Sequence, residues 1–202
     1  MINTDHAIDL VASQMGAVEA SGLMSAASKV VIGINGDESD ASVVSAICPK
    51  AQVVAHGHGA ASELSTMKLI QEWIKIHRGW SVLYFHTKGL SHPNQPIFDN
   101  WRECMMRACV WNWKLCVGAL EKGFDSVGAH WLTPEKYSVI TIPYWGGNFF
   151  WAKSEFLLTL PPLKPATWEN RFEAEVWIGR GPRRPLVQDL APHWPFNCHH
   201  HQ

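Results

Sequence analysis

Apolar positions along the chain alternate between two spacings. Residues 4–21 carry Ile8, Val11, Met15 and Val18 at helical intervals, and Gly22 stands where such a helix stops. Residues 29–34 form a short β-branched run (Val30, Val31, Ile32, Ile34) and predict a buried strand that ends in a loop at Asn35, Gly36 and Asp37. A second strand is predicted over 52–56, closed by Gly57, His58 and Gly59. Helical spacing returns over 62–77 through Met67, Ile70, Trp73, Ile74 and His77, with Glu63 placed to complement the helix dipole. Residues 81–86 then read as a third strand that runs straight into Thr87, Lys88 and Gly89.

The strongest helical pattern follows. Asn100 and Glu103 have capping-box spacing, Met105, Cys109, Trp113, Cys116 and Leu120 share one stripe, and Gly123 ends it. Further strands are expected over 125–131, 137–141 and 148–153, the last two flanking a turn at 143–147. Short helices are expected over 154–160 and 168–178. Beyond Gly179, Pro182, Pro185, Pro192 and Pro195 predict an extended tail, which gives one domain over 1–179 and a Pro/His-rich end over 180–202. The alternation of strand and helix predicts an α/β fold with a mainly parallel sheet covered on both faces. Ligands in such sheets bind at the carboxyl ends of the strands, here the loops after residues 34, 56 and 86.

Composition narrows the options. The 202 residues carry 17 Lys+Arg against 18 Asp+Glu, a balance that argues against a nucleic-acid binder held by a basic face. Hydrophobic residues at 47% and charged residues at 17% exclude disorder and predict a sizeable core. No apolar stretch is long enough for a membrane span, and the acidic start lacks the basic region of a secretory signal, so a soluble, cytoplasmic protein is expected. The five cysteines form no CxxC pair and read as reduced thiols, with Cys109 and Cys116 as small core residues. The eleven tryptophans suit either a core or a surface on which rings stack.

Chemistry has few candidate positions. Walker, GxGxxG, GxSxG and HExxH motifs are all absent. His86, Thr87, Lys88 and Gly89 combine a strand end, a sharp turn, a hydroxyl and a cation, a set that can hold a phosphate or form an ordinary solvated turn. Glu173 and Glu175 offer carboxylates. Arg171 lies four residues before Glu175, so an ion pair is the plain account of that one and leaves Glu173 the freer general base. Gly146, Gly147 and Asn148 either let a backbone approach a ligand or form a tight turn. The cluster His193, Cys198, His199, His200 and His201 has soft-metal ligands, but its Pro-rich terminal setting reads as adventitious.

Taken in order, Glu63 to Met67, Val82 to Gly89 with its HTKG, Trp101-Arg102-Glu103, Asp125 to Gly128, Gly147-Asn148 to Lys153 and Arg171 to Gly179 form a series. It resembles a group of small GT-A-fold glycosyltransferase-like proteins, found alone or as modules of polysaccharide-building enzymes. The resemblance spans residues 22–179. It implies transfer of a sugar from a nucleotide-sugar donor to a glycan or other hydroxyl acceptor. Where GT-A enzymes generally carry a metal-binding Asp-x-Asp, this chain has His86-Thr87-Lys88, which implies a fixed cation at the donor diphosphate and leaves a divalent cation (Mn or Mg) as second choice. On this reading Asn35 and Gly36 approach the nucleotide, and His86, Thr87, Lys88 and Arg102 meet the donor. Trp101, Gly147, Asn148, Trp151 and Glu175 contact substrate, and Glu173 takes the acceptor proton. The chain departs from the GT-A pattern at its start, where a helix precedes the first strand. The alternative reading is a non-catalytic nucleotide- or carbohydrate-binding relative.

Overall fold

A computed structural model describes residues 4–57, 63–92, 95–164 and 172–192. Helix α1 (Thr4–Ala20) and the one-turn α2 (Leu23–Ala26) meet at Gly22, whose φ of 77° is the left-handed turn anticipated there. Strand β1 (Val31–Ile34) pairs parallel with β2 (Gln52–Ala55) through α3 (Glu38–Ile47). Helix α3 follows the loop expected at 35–37, over residues to which the sequence pattern assigns no element. Its start is fixed by a reciprocal capping box, in which the Asp37 carboxylate accepts from the Ser39 and Asp40 N–H groups while Asp40 accepts from the Asp37 N–H. Helix α4 (Leu64–Ile76) leads into β3 (Ser81–Tyr84).

The segment expected as one long helix is two helices. Helix α5 (Pro96–Met106) begins four residues before Asn100, with proline in its first turn, so Asn100 and Glu103 lie inside it and cap nothing. A π-helical stretch, Arg107–Trp111, then separates α5 from α6 (Trp113–Glu121). The wider turn sends the Asn112 N–H to the Arg107 carbonyl, so the Ala108 carbonyl loses that helical donor. The Cys116 thiol donates to the Ala108 carbonyl, and the Trp151 indole N–H donates to the next carbonyl, Cys109, at 2.7 Å. Tertiary side chains thus satisfy the break.

Four short strands follow: β4 (Ser126–Gly128), β5 (Trp131–Leu132), β6 (Tyr144–Trp145) and β7 (Phe150–Lys153). No strand forms at 137–141; the pairing partner of β5 is β6. Helices α7 (Ser154–Leu157) and α8 (Glu173–Val176), a 3-10 turn (Trp177–Gly179) and β8 (Val187–Asp189) complete the described chain. The start of the helix expected over 168–178 lies outside the described residues, as do His58, Gly59 and the terminal His/Cys cluster.

The fold is α/β, but its sheets are mixed and separate rather than one mainly parallel sheet. The largest runs in the order β3-β7-β4-β8, with β7 antiparallel to both β3 and β4. The reason is the connection. Between β4 and β7 the chain turns back through the β5–β6 ribbon, so it returns in the opposite direction instead of crossing over through a helix. Alternation along β7 then builds two layers. Phe149 and Trp151 face a core made with α1, α2, α5, the π stretch and α6, while Phe150 and Ala152 face a core made with α4, α7 and α8. Cys109 and Cys116 are buried in the first core as anticipated, and burial pushes the Cys116 thiol up to about 12. Among the described residues no helix is long and apolar enough to cross a membrane.

Residues 187–189 of the expected tail are the edge strand beside β4. The Asp125 carboxylate fastens this segment, accepting from both terminal nitrogens of Arg183 at 2.6 and 2.8 Å and from the Leu186 N–H. Burial works against the Asp125 carboxylate, but the Arg183 and Leu186 hydrogen bonds, with the charges of Arg183 and Lys153, outweigh it and hold the carboxyl below its usual range. A lowered folded-state value gives stability that is present above the ordinary carboxylate range and lost as pH falls through the lowered value. The melting temperature of Asp125→Asn is therefore expected to lie below wild type by a constant gap from pH 8 to about 5, closing below about pH 4. A gap unchanged down to about pH 2 would show that the ionised carboxylate contributes nothing.

Candidate functional site

Because β7 runs antiparallel to β3, with Tyr84 opposite Phe150, the residues just before β7 lie beside those just after β3. This register puts Gly147 and Asn148 next to His86. The His86 Nε2 lies 2.9 Å from the Gly147 carbonyl, and since a carbonyl only accepts, Nε2 is the donor. The backbone turns there through two left-handed residues, Gly147 (φ 85°) and Asn148 (φ 57°). A Cβ on Gly147 would press on Met105 and Trp101, so glycine lets α5 close onto the turn.

Asn148 is fully buried and joins three elements. Its Nδ2 donates to Glu63 Oε2 at 2.8 Å, before α4, and to the Ala174 carbonyl at 3.3 Å in α8. Both partners are acceptors, which fixes the amide orientation and leaves its Oδ1 buried with no hydrogen-bond partner. Glu63 Oε2 also accepts from the Tyr84 hydroxyl at 2.7 Å and lies 3.9 Å from His86 Nδ1. A second proton on the imidazole would turn that approach into an ion pair. Burial first, then the charge of Glu63, its hydrogen bond, and the charge of Glu175 hold the Tyr84 hydroxyl well above its usual range, so Tyr84 remains a neutral donor.

On the other side of the Gly147 turn, the Lys88 ammonium sits 4.2 Å from the centre of the Trp101 ring. Trp101 is 2% exposed and belongs to the first core. Arg102 donates to the Lys88 carbonyl at 2.8 Å and pairs with Asp99 at 2.7 Å, so it braces the loop. Gly89, at φ 90°, packs under Arg102 and Phe98. Among the described residues Lys88 has no carboxylate within ion-pair distance. Gln14 of α1 donates to the His86 carbonyl at 3.0 Å from below. Thr87 is half-buried in the same loop.

The other anticipated residues are placed differently. Asn35 and Gly36 end β1, where the Gly36 carbonyl accepts from the Gly57 N–H and its Cα crowds Asp40. Their link to β3 runs through α4: Thr66 packs against Gly33 and His56, while Glu63 reaches Tyr84. Trp151 is a buried core ring, 5% exposed and anchored to the π stretch. Glu173 is the encumbered carboxylate, 2.9 Å from Arg180 and 3.8 Å from Lys164. Glu175 is the one whose charge bears on Tyr84 and Tyr144; Arg171, its expected partner, lies outside the described residues. Glu63 was read from the sequence only as a dipole complement, yet its side chain does not cap α4. The signal that could have marked it is the polar pair Tyr84 and Asn148 in otherwise apolar strand ends.

The described residues do not form a divalent-cation site. Among the described residues no three His, Cys, Asp or Glu side chains gather as a metal site, and Asp37 and Asp40 are committed to their capping box. No step below runs through a metal.

A family described as a domain of unknown function (DUF8361) matches residues 2–177. The chain belongs to the DUF8361 family. The match takes in every residue of the His86–Asn148–Glu63 cluster and stops before β8. No curated protein and no solved structure matches the chain. For this DUF8361 protein the side-chain cluster itself is the source of functional argument.

The Asn148–Glu63 contact has a testable sign. In Asn148→Asp a second carboxylate faces Glu63, and two adjacent carboxylates resist both being ionised. The variant is expected to melt furthest below wild type near pH 8 and to recover as pH falls toward about 4.5. Asn148→Gly, which keeps the left-handed backbone, should instead lose stability by a nearly pH-independent amount. Equal deficits across pH for both variants would remove the contact from the account.

Proposed function

We propose that this protein is a GT-A-like sugar transferase that meets a nucleoside diphosphate leaving group with a protein cation. The observation that carries the reading is Lys88. Its ammonium is half-buried over Trp101, has no counter-carboxylate among the described residues, and stands on a loop braced by Arg102. A cation preset where negative charge develops stabilises a departing diphosphate without reorganisation. Thr87 supplies a neighbouring hydroxyl donor with His86 beside it, the Gly147–Asn148 turn offers backbone at close range, and helices on both faces of the sheet hold the loop in place. Asn35 and Gly36, at the end of β1, are the proposed approach to the nucleotide, and Glu175 a contact to the acceptor. The acceptor is a glycan or another hydroxyl compound.

One observation favours the second reading, a binding protein of the same architecture without turnover. Glu173, the base that the resemblance suggests, is held by Arg180 and Lys164 rather than open to an acceptor. The two readings share a ligand and differ in product.

Calorimetry with uridine diphosphate and guanosine diphosphate, with and without EDTA, tests the shared part. Binding of one of them is expected to persist in EDTA and to weaken roughly 10- to 100-fold in Lys88→Ala, in keeping with loss of a charge-assisted contact. Unchanged affinity in that variant would overturn the role of Lys88. Product release from a panel of the corresponding nucleotide sugars separates the transferase from the binder.

A further inference from the structure

We propose that Glu63 is the general base of this site and that its acceptor is a polyol whose hydroxyl groups meet Glu63 and Asn148 together. The inference rests on the sugar-transfer reading above and assigns within it a residue that the sequence resemblance does not.

Three features of the cluster support it. First, the two hydrogen bonds to Glu63 reach only Oε2, from Tyr84 and Asn148, and no described residue hydrogen-bonds Oε1. The side chain is 14% exposed. Glu173, by contrast, faces two cations that compete for its lone pairs. Second, Glu63 stands at the amino end of the 13-residue α4, where the helix dipole favours a carboxylate. Third, Asn148 presents a buried Oδ1 with no partner in the same cluster. A buried acceptor without a donor is costly, and a ligand rich in O–H groups is the class that satisfies it. A sugar or other polyol can donate one hydroxyl to Asn148 Oδ1 while another faces Glu63 Oε1.

The acceptor oxygen forms a bond to the anomeric carbon of the donor. The bond from that carbon to the diphosphate oxygen breaks, and its electron pair leaves on the diphosphate, which Lys88 faces. The hydroxyl proton passes to Glu63 Oε1. The titratable groups that meet Glu63 are Tyr84 and His86 at the end of β3, and the charge of Glu175 on α8 bears on Tyr84.

The test combines turnover, binding and melting on the full chain. Release of nucleoside diphosphate from uridine- and guanosine-diphosphate sugars is followed with a mixture of mono- and oligosaccharide acceptors. In Glu63→Gln the remaining side-chain oxygen still accepts from Tyr84 and Asn148. Turnover is therefore expected to fall on the order of 100-fold or more, while nucleoside diphosphate affinity stays within about threefold of wild type and the melting temperature barely moves. In Glu63→Asp the charge is kept but withdrawn by one methylene, and turnover is expected to fall about tenfold or more. The aspartate variant also decides the matter if Glu63→Gln fails to fold. Wild-type turnover in either folded variant, or loss of turnover in Glu173→Gln while Glu63→Gln keeps it, would overturn the role of Glu63 and leave the transferase reading intact. A wild-type protein that binds nucleoside diphosphate without any turnover would overturn the role of Glu63 in favour of the binder. One that binds neither diphosphate would overturn the transferase reading itself.

Discussion

The buried amide of Asn148 is the joint on which this end of the molecule turns. It holds a left-handed backbone that most side chains avoid, and its two amide protons go to a carboxylate ahead of α4 and a carbonyl in α8. Each bond replaces hydration lost on burial. Together they tie the strand β7 to α4 and α8, two of the helices of one layer. Without that amide the Glu63 carboxylate would keep only Tyr84 as a close hydrogen-bond donor, and the turn beside His86 would lose its fixed shape.

The opposite layer reaches the same turn through packing. Gly147 admits Met105 and Trp101, Trp101 carries Lys88 on its ring face, and Arg102 holds the Lys88 carbonyl. The position of α5 depends in turn on the π stretch that follows it. That stretch is secured by Trp151, two residues along β7 from the Asn148–Phe149 corner. A cation from one layer and a carboxylate from the other thus flank a single backbone turn. Neither charge is placed by the loop that carries it; each is placed by a helix packed behind that loop.

How much of this could be read in the sequence depends on whether the signal was local. The HTKG segment was legible because a β-branched and aromatic run ends there at a glycine, and the left-handed Gly22 and Gly89 behave as glycines after helices and strands do. Strand direction was not legible, since period-two alternation is the same in parallel and antiparallel pairing. The π stretch was hidden because Met105, Cys109, Trp113, Cys116 and Leu120 keep helical spacing across it. Helix α3 was missed because its apolar positions are sparse, although Asp37 and Asp40 spelled its cap with Asp in place of the usual Ser or Thr and Glu. The partners of Glu63 and Glu173 were not legible for a non-local reason. Helical spacing says which neighbours four residues away can pair, and it is silent on Arg180 and Tyr84, which arrive from other elements.

The two carboxylates differ in setting. The encumbered Glu173 sits on a one-turn helix and is neutralised by cations from the flanking chain, so its charge serves to hold that segment down. Glu63 sits at the mouth of a long helix and is held by the neutral donors Tyr84 and Asn148. A carboxylate held by neutral donors beside a buried amide oxygen with no partner among the described residues is disfavoured by desolvation, which sets this pair apart from Glu173, whose charge is matched by two cations.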